Sequence, residues 1–110
     1  MAVHDLEARA LSDTGGGAER WTAVVTVQVR GSGGAEVAGA TVTGAWSGSA
    51  LGLVSARTGE DGRVRFALGG LQGDQRISFS VVEILHHDYV YLSDLDRAKI
   101  ITVPPPSGVK

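Results

Sequence analysis

Hydrophobic and polar residues alternate along several short stretches of this chain. The clearest stretch runs from Trp21 to Arg30, where every second residue is apolar and many are β-branched. A period of two predicts a β-strand with one buried face and one solvated face. No segment shows a long match to the helical period of 3.6. The residues expected on the buried face are Trp21, Ala23, Val25, Val27 and Val29.

The same alternation predicts further short strands on both sides of this one. Leu6 to Leu11 is interpreted as a first edge strand, although Leu6, Ala10 and Leu11 also fit one helical turn. The remaining predicted strands are Ala38 to Trp46, Leu51 to Ala56, Arg63 to Leu68, Gln75 to Leu85, Tyr89 to Leu92 and Lys99 to Val103.

Glycine-rich segments separate these strands. The segment Gly31 to Gly34 is expected to be a turn, and Thr58 to Gly62 contains an Asp-Gly step that suits a hairpin with positive φ angles. Seven or eight short strands with such spacing predict an antiparallel immunoglobulin-like β-sandwich. A small closed barrel is the alternative. We expect one domain over residues 1–103, with a Pro-rich tail or linker over residues 104–110.

Composition narrows the classes of function. With 110 residues, of which 43% are hydrophobic and 20% charged, the chain is expected to fold as one domain. A net charge of −2 gives no overall attraction to nucleic acid or to an anionic membrane. There is no apolar run long enough for a membrane span and no basic signal segment in the sequence as given. The absence of Cys excludes disulfides, thiolate metal sites and thiol nucleophiles.

Two groups of motifs resemble known accessory modules. The segments Val37 to Gly44 and Thr58 to Gly62 are similar to the V-x-G-A-x-V and T-D-x-x-G patterns of bacterial immunoglobulin-like and carboxypeptidase-regulatory (transthyretin-like) domains. More narrowly, four motifs resemble, in order, those of the accessory domain of secreted bacterial hydrolases and surface proteins. They are Val3 to Glu7, Arg20 to Val27, Gly44 to Gly48 and Ile77 to Val81.

The resemblance implies a non-catalytic spacer or protein-interaction module of an exported bacterial protein, at the cell surface or outside the cell. Its partner would be a neighbouring domain or another protein, and no cofactor or catalytic residue is implied. Similar domains often carry a Cys pair around the second motif, where this chain has Ala56 and Val64. An apolar contact would then replace the cross-link. Similar domains also tend to have an Asp/Gly-rich loop, where this chain has Ser93 to Arg97.

Serine chemistry is not expected. A serine nucleophile needs a sharp turn, a nearby His and an oxyanion hole. The chain lacks the G-x-S-x-G motif, because Ser49 stands one position too early in Gly48 to Gly52. Ser47 and Ser49 are therefore interpreted as loop residues, and a small enzyme is the least favoured function.

His86, His87 and Asp88 are candidate ligands for zinc or copper. Consecutive residues of a strand point to opposite faces, so His86 and His87 could share an ion only if the chain turns sharply there. His4 is the remaining imidazole of the chain. Surface histidines at a strand end are the favoured interpretation.

Asp94 and Asp96, together with Asp88 or Asp5, are candidate calcium ligands, since Ca²⁺ takes six to eight oxygens, several of them from carboxylates. The full D-x-D-x-D-G pattern is absent, and a solvated acidic turn is favoured. A calcium-stabilised adhesion module therefore remains an alternative function.

Trp46, Tyr89 and Tyr91 could form an aromatic platform for sugar rings, which would make the chain a carbohydrate-binding module that keeps a hydrolase on its polysaccharide. Packing of these rings in the core is the favoured interpretation. Outward-facing arginines could also form a basic patch despite the acidic total charge. The arginines concerned are Arg30, Arg57, Arg63 and Arg65.

Overall fold

A computed structural model describes residues 1–13, 20–31, 33–48, 52–72, 76–92, 96 and 100–103. These residues form seven β-strands and include no helix. They contain no helix that is long and apolar enough to cross a membrane. The strands are β1 (Ala2–Asp13), β2 (Arg20–Arg30), β3 (Thr41–Gly48), β4 (Gly52–Arg57), β5 (Arg63–Gln72), β6 (Ile77–Leu85) and β7 (Ile100–Val103).

The strands form two antiparallel sheets. One has the order β1-β2-β5 and the other the order β4-β3-β6-β7. The chain changes sheet three times, between β2 and β3, between β4 and β5, and between β5 and β6. The prediction of an antiparallel β-sandwich of seven to eight strands is confirmed, and the sheets do not close into a barrel. As in immunoglobulin-like sandwiches, the first, second and fifth strands oppose the third, sixth and seventh.

Alternate residues of the strands fill the space between the sheets. The predicted inward set of β2 is confirmed, because Trp21, Val25 and Val27 are fully buried. Phe79 of β6 lies at the centre, where it meets Trp46 edge-on at 4.9 Å and stacks on Phe66 at 5.0 Å between ring centroids. At about 25 cal/mol per Å² of apolar area, burial of these rings is a main contribution to folding stability.

The turn from Thr58 to Gly62 differs from the predicted hairpin. Its flanking strands do not pair with each other, because β4 pairs with β3 and β5 pairs with β2. The turn therefore carries the chain from one sheet to the other. Gly62 does adopt the expected positive φ, at 72°. A Cβ atom at Gly62 would lie 2.6 Å from the Val29 carbonyl oxygen, which explains why this position needs glycine.

Thr58 holds this crossover to the preceding connection. Its buried hydroxyl donates to the Val37 carbonyl at 2.7 Å and accepts from the Ala40 backbone N–H at 2.9 Å. The Thr58 backbone also exchanges hydrogen bonds with Ala40 and Gly39. These bonds keep residues 37–40 in a turn, so β3 begins at Thr41 rather than at Ala38 as predicted.

Other strands also differ in extent from the sequence prediction, and one predicted strand is absent. The first strand runs over twelve residues from Ala2, because β2 offers a partner along its whole length. β5 continues through Gly69 and Gly70 to Gln72 with a shift of register. Tyr89 to Leu92 is not a strand, because its backbone makes one bridge from Tyr89 to His86 and otherwise turns toward Met1. The tail over residues 104–110 lies outside the described residues.

Candidate functional site

The outer face of the three-stranded sheet brings together three arginines from distant parts of the chain. The register places Glu7 of β1, Thr26 of β2 and Arg65 of β5 side by side across the sheet. Arg63 lies opposite Gln28 on β2, and Arg9 lies opposite Val24 on the other side of Glu7. Because alternate residues of a strand share a face, all three guanidinium groups lie on the solvent side. We call Glu7, Arg9, Thr26, Arg63 and Arg65 the arginine face.

The arginine face encloses a shallow concavity of about 350 Å³. Three guanidinium groups and one carboxylate line it, so its local charge is opposite in sign to that of the whole chain. Arg63 lies 3.9 Å from Asp61, an ion pair with both side chains more than half exposed. Among the described residues, neither Arg9 nor Arg65 makes an ion pair. The full lining is Glu7, Ala8, Arg9, Leu11, Val24, Thr26, Arg63 and Arg65.

The basic patch predicted from the sequence is partly corrected by this arrangement. Arg63 and Arg65 lie on one face as expected, and Arg30 follows the same outward phase on β2. Arg57 lies on β4 in the other sheet and does not join them. Arg9 joins them instead. Its alternation with Ala8 and Ala10 could have indicated this, but the pairing of β1 beside β2 could not be read from local sequence.

The outer face of the four-stranded sheet has a different chemistry. Its central strands present small hydroxyl and methyl side chains, and a row runs across the sheet through Leu53, Ala45, Ser80 and Ile100. Leu53 and Ile100, at the two edges of this row, are 73% and 64% exposed. The row across this face is thus uncharged, with apolar residues at its two ends.

From the sequence, His86 and His87 are expected to approach each other only if the chain turns sharply there. The chain does turn sharply after β6. Their rings stack with centroids 4.7 Å apart and planes 13° apart. His87 Nε2 lies 3.1 Å from the Asp88 carboxylate. One ligand atom from each of the three residues lies within 4.8 Å of the others. This is the one cluster of potential metal ligands among the described residues, and we call it the histidine turn.

Hydrogen bonds fix the His86 ring. Its Nε2 lies 3.0 Å from the Ala38 carbonyl oxygen, and its Nδ1 lies 3.0 Å from the Asp88 backbone nitrogen. A carbonyl can only accept and an N–H can only donate, so Nε2 carries the proton and Nδ1 presents its lone pair to the turn. Tyr89 packs edge-on against the same ring at 5.1 Å.

Asp96 ties the connection between β6 and β7 to the first strand. One carboxylate oxygen accepts from the Val3 backbone N–H at 2.7 Å, and the other accepts from the Tyr91 hydroxyl. Burial, followed by the hydrogen bond to Asp96 and the charge of its carboxylate, raises the pKa of Tyr91 well above its ordinary value. Leu92 N–H also donates to the Met1 carbonyl at 2.8 Å.

The predicted calcium ligands serve different local roles. Both carboxylate oxygens of Asp96 already accept protein hydrogen bonds, and Asp88 belongs to the histidine turn. The Asp5 carboxylate accepts from the Leu6 backbone N–H at 2.9 Å. Asp94 lies outside the described residues, so a calcium site that includes it stays a prediction.

The aromatic candidates do not form a platform. Trp46 lies in the core and is 3% exposed, so its ring has no face available for a sugar. Tyr89 packs against His86, whereas the Tyr91 hydroxyl is bound by Asp96. Ser47 lies half-buried on the outer side of β3, and Ser49 lies outside the described residues.

Comparison with known proteins adds no relative: no family model, no curated protein and no solved structure matches this chain.

Proposed function

We propose that this chain is a non-catalytic protein-interaction module whose docking surface is the arginine face. The observation that carries this proposal is the convergence of Arg9, Arg63 and Arg65 on one concave sheet surface. An exported bacterial setting, with a neighbouring domain or a separate protein as the partner, is part of the proposal and is supported by the motif resemblance.

Charge complementarity indicates the kind of partner. A guanidinium group offers planar, forked donors that match a carboxylate, and it sheds water more readily than an ammonium group. Arg9 and Arg65 are free of ion pairs within the described part of the chain, so binding a new carboxylate breaks no existing pair there. We infer that the partner presents an acidic segment of Asp and Glu residues that lies across β1, β2 and β5.

A binding assay with charge reversals tests this function. The probe is a fluorescein-labelled ten-residue peptide of alternating Glu and Gly, measured by fluorescence anisotropy at low salt. The double variant R9E/R65E is expected to bind roughly tenfold more weakly than the wild type, because two exposed ion pairs are lost. Binding by the wild type should also weaken as salt rises, since both partners are exposed to solvent.

The matched control is R57E, which makes the same charge change on the exposed edge strand β4 of the other sheet. A second substitution at Arg76, which is also exposed, gives the control R57E/R76E. This control has the same net charge as R9E/R65E. Equal weakening in R57E/R76E and R9E/R65E would mean that only net charge matters, and it would overturn the proposal. Preferential binding of heparin over the peptide would assign the face to sulfated polysaccharide instead.

A further inference from the structure

We propose that the histidine turn binds one divalent transition-metal ion of the zinc or copper(II) type. The ligands are one imidazole nitrogen from His86, one from His87 and the Asp88 carboxylate, with water completing the coordination. This site is independent of the arginine face, which lies on the other sheet.

The residue types suit such an ion. Imidazole nitrogen is a preferred ligand of zinc and copper(II), and a single carboxylate adds charge without favouring calcium, which needs more oxygens. Stacking of the two rings at 4.7 Å directs both imidazoles to the same side of the turn. Asp88 follows directly and already contacts His87 at 3.1 Å.

His86 has the arrangement of a metal-ligating histidine. Such a residue usually donates its second ring N–H to a carbonyl or carboxylate, which fixes the tautomer and the ring orientation. The His86 Nε2–H makes this bond to Ala38, at 3.0 Å. Its Nδ1 lone pair is left facing the turn, where the ion would replace the hydrogen bond from the Asp88 N–H.

The other two ligands have freedom to close on the ion. The three ligand atoms lie within 4.8 Å of one another, whereas bonds of about 2.1 Å in tetrahedral geometry place ligand atoms roughly 3.5 Å apart. The side chains of His87 and Asp88 are 84% and 67% exposed, so rotation about their own bonds can bring them in. The sheet and its core need not move.

Binding would fasten the turn after β6 to the connection between β2 and β3. His86 contacts Ala38, and a Cβ atom at Gly31 would lie 3.0 Å from the ring of Tyr89, the residue that follows the histidine turn. This part of the chain therefore already packs against that connection. An ion that binds the folded turn better than the unfolded chain stabilises the fold by mass action. Zinc is therefore expected to raise the thermal unfolding midpoint.

Calorimetric titration of the chelator-stripped chain with zinc chloride tests the site. The wild type is expected to bind one ion per chain. H87A is expected to bind at least about tenfold more weakly, and D88N several-fold more weakly, because each loses a ligand. His86 is left unchanged, because its ring packs against Tyr89 and its loss would disturb the fold.

Two matched controls make the result specific. H4A removes an imidazole elsewhere, and D61N removes an exposed carboxylate of a different turn. Both are expected to keep the wild-type affinity within about twofold, since neither residue supplies one of the three proposed ligands. Substoichiometric nickel should also broaden the amide signals of His86 to Tyr89, Gly31 and Ala38 in a proton–nitrogen spectrum.

The absence of zinc binding in the wild type would overturn the proposal. It would also fail if H87A binds as tightly as the wild type, or if binding is lost in H4A and kept in H87A. Neither result would bear on the arginine face.

Discussion

At the scale of single residues, a small change at Thr58 is expected to lower the free energy of unfolding. Its buried hydroxyl satisfies two backbone groups, the Val37 carbonyl and the Ala40 N–H. T58V keeps the shape of the side chain but leaves both groups without a partner. Each orphaned buried group costs about 1–3 kcal/mol, so we expect the free energy of unfolding to fall by about 2–4 kcal/mol, measured by urea denaturation.

T43V is the matched control for this prediction. Thr43 is a half-buried residue on the outer side of β3. Its replacement is expected to change the free energy of unfolding by no more than about 0.5 kcal/mol. Equal effects of T58V and T43V would contradict the role assigned to the Thr58 hydroxyl.

Gly44 tests the packing of the aromatic centre. A Cβ atom at this position of β3 would overlap the Phe79 ring, which is itself held between Trp46 and Phe66. Overpacking a full core costs typically about 1–3 kcal/mol, so we expect G44A to lower the free energy of unfolding by that amount. Urea denaturation again gives the measurement.

G52A is the control, because a Cβ atom at Gly52 would meet nothing within 4 Å. We expect it to leave stability unchanged or to raise it slightly, since Ala restricts the unfolded chain. The cost of G44A should shrink in an F79L background, where the ring is gone. A cost that persists unchanged in F79L would place its origin in the backbone instead.

Residue-scale features were predictable where they depend on alternation alone. The burial of Val25 and Val27 and the exposure of Arg63 and Arg65 follow from a period of two. The contact between Gly44 and Phe79 was not predictable, because it depends on how β6 is staggered against β3. Nothing in the local sequence around Gly44 specifies that stagger.

At the scale of elements, the connection between β6 and β7 responds to pH through Tyr91. Its pKa is raised by burial and by Asp96, so the folded chain keeps the phenol proton at pH values where the unfolded chain has lost it. Above about pH 10 the unfolded chain therefore binds fewer protons than the folded chain. The stability that Tyr91 contributes falls as the pH rises beyond that value. Below about pH 10 this contribution is fully present.

This prediction is measured in the variant Y89F, which leaves Tyr91 as the remaining tyrosine of the chain. Its phenolate absorbance should appear only well above pH 10 in the folded protein and near pH 10 in concentrated urea. In Y89F/D96N the folded-state transition should move part of the way back. A folded-state transition near pH 10 in Y89F would refute the contact with Asp96.

The sequence predicted most of the strands, but it did not predict which strands the turns connect. Thr58 to Gly62 has the composition of a hairpin turn, and its Gly62 does adopt a positive φ. The same local chemistry serves a turn between sheets, because the choice depends on which strand accepts β5. That partner is β2, thirty residues or more earlier in the chain. Residues 89–92 differ in another way, because the strand predicted there is replaced by backbone hydrogen bonds to the distant residue Met1.

At the scale of the whole molecule, the two outer faces of the sandwich divide the chemistry. The three-stranded sheet presents a concave surface with three arginines, and the four-stranded sheet presents small side chains at its centre and exposed apolar residues at its edges. The net charge of −2 does not show this difference between the two faces, because it sums the charges of the whole chain. Sequence alternation identified two of the three arginines. The pairing of β1 with β2 adds Arg9, and the pairing of β4 with β3 leaves Arg57 on the other sheet.

Chemical-shift mapping with the acidic peptide tests the proposed docking role of the arginine face. Addition of the peptide to the isotope-labelled chain should shift the amide signals of residues around Arg9, Thr26 and Arg65 on three different strands. Signals of β3 and β6 should stay in place. Shifts confined to the four-stranded sheet, or spread evenly over both faces, would show that the peptide does not dock on the arginine face.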